Sequence, residues 1–182
     1  RLDVNGQETA VIDRSQIIET VREYKELGVE AIAVSLLHSY RNPDHERIIK
    51  SIIKDEFKEC HISISSDILR EYREYERTNT TCLNTALMPL LSDYHEKLAN
   101  NLKSIHIKSP FYIMRSSGGL AQAKEISKQP ITAALSGPAA GVVAGSHFGV
   151  LGGFPNLICF DVGGTSADIC LVEDGRPGML TE

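Results

Sequence analysis

Asp161-Val162-Gly163-Gly164-Thr165-Ser166-Ala167-Asp168 is the stretch on which the reading of this 182-residue chain turns. The apolar run from Leu157 to Phe160 delivers an aspartate to its end. Two glycines follow, where the backbone can bend and come close to a ligand. Thr165 and Ser166 add hydroxyls, and the backbone N–H groups of such a turn can cradle phosphate oxygens. A carboxylate beside them, Asp161, can hold magnesium directly or through water. Asp168 opens the next apolar run and is placed to face the same site. The same octapeptide also reads as an ordinary glycine hairpin turn with polar flanks.

Outward from this loop, Leu157–Asp161 and Asp168–Val172 read as two strands. They are too close for a helical crossover, so they pair as an antiparallel hairpin. Upstream, Ser136-Gly137-Pro138-Ala139-Ala140-Gly141 starts a helix with proline in its first turn. Gly137, Gly141, Gly145 and Gly149 recur every four residues along it, a small-residue stripe that permits close packing. That helix reads either as a tight core helix or as the seam between two lobes that close over a nucleotide.

The rest of the chain alternates helix and strand. Asp13, with Gln16 three residues on, caps a helix whose apolar face is Ile17, Ile18, Val21, Tyr24 and Leu27, and Gly28 ends it. Ala31–Leu37 is a buried strand. Asn42-Pro43 starts a second helix with Ile48, Ile49, Ile52, Ile53 and Phe57 inward. His61–Ser65 is a strand. The charged run Arg70–Arg77 reads as a solvated helix face. A long helix covers about Thr78 to Leu102 and is expected to kink or break at Pro89. Phe111–Arg115 is a strand ending in Ser116-Ser117-Gly118-Gly119, and a short helix covers Ala121–Lys128. Strands separated by helices predict an α/β fold with a largely parallel sheet.

Composition narrows the partners. Hydrophobic residues are 42%, charged residues 24% and the formal charge is −5 with no basic run. That argues against nucleic acid or an anionic membrane as partner. Gln129 to Phe160 lacks charge, but three prolines, several glycines, His147 and Asn156 interrupt it, so it reads as a buried soluble segment. Cys60, Cys82, Cys159 and Cys170 form no CxxC pair and read as free, mostly buried thiols. Arg1 in first place, and an end shortly after Gly175-Arg176-Pro177-Gly178, lead us to expect an internal piece of a longer chain.

A small-residue helix with a Pro-Ala start, then a strand, then Asp-x-Gly-Gly-Thr is similar to the connecting helix and second phosphate loop of actin-like ATPases. The 70-kDa heat-shock chaperones and sugar kinases share that plan. Five blocks, the helix start and the Asp161 loop among them, resemble the hydantoinase A / 5-oxoprolinase family, in its order. They are His38-Ser39-Tyr40-Arg41-Asn42-Pro43-Asp44-His45-Glu46, then Ser65-Ser66-Asp67 with Arg73-Glu74-Tyr75-Glu76-Arg77-Thr78. Met114-Arg115-Ser116-Ser117-Gly118-Gly119-Leu120, Leu135 to Gly141, and the Asp161 loop complete the set. Where Ala167 and Ser117 stand, the family often has Thr and Asn.

The resemblance implies an α/β, actin-like (ribonuclease H-like) ATPase fold, incomplete here. Residues 1–150 would be the end of the first lobe, with the connecting helix from about 137, and 151–182 the start of the second. It implies ATP and Mg2+ as cofactors and ATP-dependent hydrolysis of a cyclic amide of the hydantoin or 5-oxoproline type. Relatives that carboxylate acetone keep that reaction open, and the shared scaffold keeps a small-molecule kinase or a chaperone-like activator open. Gly163, Gly164, Thr165 and Ser166 would contact phosphate. Asp161, with Asp168 as a second candidate, would serve magnesium or orient a water. Ser117, Gly118, Gly119 and Gly137 would line the cleft, while Arg73, Glu74, Glu76 and Arg77 are expected to form surface ion pairs. A hydantoinase B-type partner subunit or fused domain, a cytoplasmic location, and a first phosphate loop upstream of Arg1 are implied as well. The 182-residue piece alone is expected to be inactive.

Overall fold

The computed structural model describes residues 1–178, so the last four residues of the 151–182 segment lie outside the described residues. The chain forms two compact units. One comprises residues 1–108 with 127–131, the other 109–126 with 132 onward.

In the first unit, helix α1 (Arg14–Glu26) begins where the Asp13 carboxylate accepts from the Gln16 N–H at 3.1 Å. It ends at Gly28, whose φ of +71° suits glycine. Strand β1 (Ala31–Val34) is shorter than the apolar run that predicts it. Helix α2 (Asp44–Glu56) follows, with Pro43 as its N-cap rather than Asn42. The Asn42 side chain instead accepts from the Asp44 N–H at 3.0 Å. Strand β2 (His61–Ile64) lies parallel to β1, with Ala31 opposite His61 and Val34 opposite Ile64. Val21, Val34, Ile53, Ile62 and Ile64 close a core between these strands and helices.

After a single turn, α3 (Ser65–Ile68), the helix α4 (Glu74–Ser104) runs unbroken through Pro89 for 31 residues. Proline there removes one ladder bond. The helix holds because its buried face, including Arg77, Thr81, Asn84 and Met88, is fastened to the strands. Asn84 donates to Ser63 Oγ at 2.9 Å and accepts from the Ile131 N–H at 3.2 Å.

The second unit contains β3 (Tyr112–Met114) and β4 (Leu120–Gln122), an antiparallel pair, then a helical turn α5 (Ala123–Ile126). The predicted helix from Ala121 therefore gives way to a strand at its start. The Gly118 turn folds the chain back so that Ala121 pairs with Ile113. Helix α6 (Ser136–Leu151) packs on a three-stranded antiparallel sheet of β5 (Leu157–Val162), β6 (Ala167–Glu173) and β7 (Arg176–Pro177). The expected hairpin is present. The expected largely parallel sheet is not: among the described residues, β1–β2 is the one parallel pair. Short turns at Gly118 and at Gly163–Ser166 leave no room for crossovers, which parallel neighbours require. Among the described residues no helix is long and apolar enough to cross a membrane.

Candidate functional site

The hairpin register puts Asp161 directly opposite Asp168. The Gly163 N–H donates to the Ser166 carbonyl at 2.9 Å. Counting back along the ladder, Asp161/Asp168 is then a hydrogen-bonded pair, with Cα atoms about 5.5 Å apart. Side chains at every second position share a face. Leu157, Cys159 and Asp161 of β5, with Val172, Cys170 and Asp168 of β6, therefore share the face turned to α6. That assignment agrees with the contacts. A Cβ built on Gly145 of α6 would come 2.7 Å from Cys159 Sγ, and one on Gly149 would collide with Leu157. The glycine stripe thus packs closely at Gly145 and Gly149, whereas Gly137 and Gly141 meet nothing within 4 Å.

A cleft of about 680 Å³ lies between α6 and the hairpin, lined by Asp161, Asp168, Cys159, Cys170, Gly141 and Ser116 among others. A smaller cavity of about 400 Å³ is lined by Ser117 and Gly118, with Ser116, Ala139, Val142 and Cys170 in its wall too. Gly118 (φ +82°) turns the chain between β3 and β4 so tightly that a Cβ would sit 2.9 Å from Val143. Gly119 and Gly137 line neither cavity. Gly163, Gly164, Thr165 and Ser166 stand exposed at the hairpin tip. Neither Gly163 nor Gly164 has a positive φ, and a Cβ on Gly164 would meet nothing within 4 Å. Their lack of side chains is not needed by the turn; it leaves the tip backbone bare to an approaching group.

Two carboxylates directly opposite one another repel. Among the described residues no lysine or arginine lines the cleft to offset them. Among the described residues no group of three or more His, Cys, Asp or Glu is placed to hold a metal ion. Magnesium usually takes one or two carboxylates and completes its shell with waters and substrate phosphates. The Asp161/Asp168 pair fits that ion in company with a nucleotide, and not a metal caged by protein alone.

The sequence reading missed Ser116, whose Oγ donates to the Thr132 carbonyl at 3.1 Å and which lines both cavities. It also missed that Cys159 and Cys170 are direct partners in the hairpin register. Their offsets, two before Asp161 and two after Asp168, carried that information once the register was known. The thiols are not mostly buried: only Cys60 is, while Cys82 is exposed and the hairpin pair is half-buried.

The blocks at His38 and Arg73 turn out to be a buried polar lock in the first unit. Glu46 is fully buried. One carboxylate oxygen accepts from the Leu36 N–H (2.9 Å) and Ser65 Oγ (2.6 Å), the other from the Ser66 N–H (2.9 Å). Ser65 gives its proton to Glu46, so Ser39 Oγ donates to Ser65 at 3.0 Å. Arg73 and Glu76 do form an exposed ion pair at 3.6 Å. Arg77 does not. It is 1% exposed, donating to the Glu71 carbonyl at 2.7 Å and the Leu36 carbonyl at 3.0 Å, with its guanidinium over the Tyr40 ring. Two main-chain carbonyls within reach draw it inward where a charged run alone suggests solvent.

These features define an α/β chain with a structural polar lock in one unit and a carboxylate-bearing glycine hairpin in the other. The family model "Hydantoinase/oxoprolinase" matches residues 77–182, and that of its N-terminal region matches residues 1–57. The chain belongs to the hydantoinase/oxoprolinase family.

Caprolactamase subunit alpha of Pseudomonas jessenii is 31% identical over 97% of this chain and 25% of that protein. The crystal structure of the ATP-dependent caprolactamase from that organism matches with a TM-score of 0.86 and 30% identity, over 94% of this chain and 25% of that one. A nucleotide-free acetone carboxylase, described for ATP-dependent acetone carboxylation, matches with a TM-score of 0.76 and 30% identity, over 98% and 26%. The 5-oxoprolinase of Saccharomyces cerevisiae is 32% identical over 90% of this chain and 12% of its own length. The chain thus spans about a quarter or less of the relatives it matches.

Proposed function

We propose that this chain supplies part of the nucleotide site of an ATP-dependent enzyme that opens a cyclic amide of the hydantoin or 5-oxoproline type. The observation that carries the reading is the facing pair Asp161/Asp168 beside a bare two-glycine tip, in a family whose relatives include an ATP-dependent caprolactamase. On this reading residues 1–150 belong to the first lobe of an actin-like (ribonuclease H-like) ATPase fold, with α6 as the connecting helix. Residues 151–182 open the second lobe. A hydantoinase B-type subunit or fused domain, and a cytoplasmic setting, belong to the same proposal. Several relatives are themselves named as subunits.

An unstrained lactam resists water. Transfer of the γ-phosphoryl group to its carbonyl oxygen makes the carbon electrophilic and turns that oxygen into a leaving group. Water then adds at carbon, the ring nitrogen departs with a proton to leave an acyl phosphate, and a second water cleaves that to carboxylate and phosphate. Magnesium, when bound, neutralises charge on the nucleotide phosphates. Asp161 would hold it directly or through a water, and Asp168 would share that work. The Gly163, Gly164 and Thr165 N–H groups, with the Thr165 and Ser166 hydroxyls, orient the phosphates. Ser117 and Gly118 line the adjoining cavity.

The test is phosphate release by the intact enzyme with its partner subunit in Mg-ATP, with and without caprolactam, hydantoins and 5-oxoproline. One cyclic amide should stimulate release in step with ring opening, and the 182-residue chain alone should show no turnover. Release indifferent to every cyclic amide would overturn the reading. A second reading, carboxylation, is favoured by the match to acetone carboxylase across 98% of the chain. Stimulation by acetone with bicarbonate, and by no lactam, would select it.

A further inference from the structure

We propose that Cys159 and Cys170 form a reversible disulfide that governs nucleotide binding at the Asp161/Asp168 pair. The two cysteines are direct partners in the β5–β6 register, with both thiols free. They stand two residues from the carboxylates on the same face, and all four side chains line the one cleft.

Nothing strong holds either sulfur where it is. Cys159 Sγ sits in the slot left by Gly145, 3.9 Å from the Val142 carbonyl. Cys170 Sγ lies 3.4 Å from the Leu171 carbonyl and 3.9 Å from that of Gly178. Thiols are weak donors, so turning each side chain toward the other forfeits little.

The backbone spacing permits the bridge. A hydrogen-bonded antiparallel pair has Cα atoms about 5.5 Å apart, inside the disulfide range of about 4.4 to 6.8 Å. The Cβ atoms of such a pair start about 5.5 Å apart and must draw in to about 4 Å. That movement is the source of the control. Asp161/Asp168 is the next pair of the same kind along the ladder, so pulling the strands together at Cys159/Cys170 displaces the carboxylates.

A small-molecule disulfide of the glutathione class supplies the oxidant. One cysteine, as thiolate, attacks a sulfur of that disulfide and expels one thiol, leaving a mixed disulfide. The other cysteine attacks the protein-side sulfur and expels the second thiol. Two electrons and two protons pass from the pair, and the small disulfide leaves as two thiols. Cys82, exposed on α4, has no cysteine partner in the β registers and serves as an internal control.

The effect on nucleotide rests on the functional reading above; the bridge itself does not. The intact enzyme is treated with oxidised glutathione, alkylated, and mapped by peptide mass spectrometry. A Cys159–Cys170 cross-link that dithiothreitol reverses, and that is absent in Cys159→Ser and Cys170→Ser but kept in Cys82→Ser, is expected. Single glutathione adducts on either cysteine, or no reaction there while Cys82 is modified, would overturn it. Mg-ATP affinity, titrated before and after oxidation, should fall about tenfold, a response that Cys170→Ser loses. A bridge that leaves affinity unchanged defeats the proposed control while sparing the nucleotide site. Absence of Mg-ATP binding in the reduced enzyme defeats the nucleotide reading and leaves the cross-link result to stand.

Discussion

The two units spend their polar and apolar residues in opposite ways. The first buries charge and uses it as structure. Glu46 is wholly enclosed and Arg77 nearly so: two main-chain N–H groups and the Ser65 hydroxyl satisfy Glu46, and two main-chain carbonyls hold Arg77, whose Nε has no partner among the described residues. The second leaves charge and apolar surface open. Asp161 and Asp168 are exposed, and on the opposite face of the same hairpin Ile158, Phe160, Val162, Ile169 and Leu171 are each more than half exposed. A buried carboxylate surrounded by donors is already satisfied and has no capacity left for a ligand. Two exposed carboxylates at paired register positions stay open to a ligand. Shared family blocks therefore sort into a lock that holds the fold and a hairpin whose carboxylates stay exposed.

The sharpest way to break this division is Asp161→Asn in the intact enzyme. Phosphate release should fall about 10²- to 10³-fold with the melting temperature unchanged, because the side chain is exposed. Loss of thermal stability in step with activity would place Asp161 with the structural residues. The converse is Glu46→Ala. It strands the Leu36 and Ser66 N–H groups and the Ser65 hydroxyl, and should cost roughly 3 kcal/mol in denaturant unfolding. Turnover per folded molecule should be nearly intact. Hydrogen exchange on the 182-residue chain sharpens the contrast. Amides of β1, β2 and the first half of α4 should exchange at least about tenfold more slowly than those of β5 and β6, since local stability follows buried apolar contact.

The smallest effect concerns pH. His95 is buried, with Nδ1 against Ser127 Oγ at 2.7 Å and Nε2 without a hydrogen-bond partner among the described residues. Burial pulls its imidazole below the ordinary value of 6.5. The unfolded chain therefore binds the proton more readily than the folded one. The first unit should lose stability as pH falls through about 6.5 and below, down to the depressed folded value. His95→Gln should flatten that slope in urea titrations between pH 7 and 5. An unchanged slope would assign the acid sensitivity elsewhere.

Much of this was legible in the residues because it is local. Asp13 with Gln16 marks a helix start, Gly28 its stop, and a four-residue tip between apolar runs forces a hairpin. The candidate site was readable for the same reason: Asp161, Gly163 and Gly164 lie within one turn of chain. Long-range choices were not readable. That α4 continues through Pro89 depends on Asn84 reaching Ser63 and Ile131. That Arg77 turns inward depends on the Leu36 carbonyl, 41 positions away in sequence.

By itself, then, the sequence determined the α/β class, the family, the hairpin and the identity of the loop residues, since periodicity, caps and turn chemistry act over a few residues. Tertiary structure decided which charges are satisfied and which stay open. It set Asp161 against Asp168 and Cys159 against Cys170 through a register fixed by the turn, and it enclosed Glu46 and Arg77. Whether a polar group is structural or free to bind depends on what the fold brings within about 3 Å of it, and no single stretch of chain contains that information.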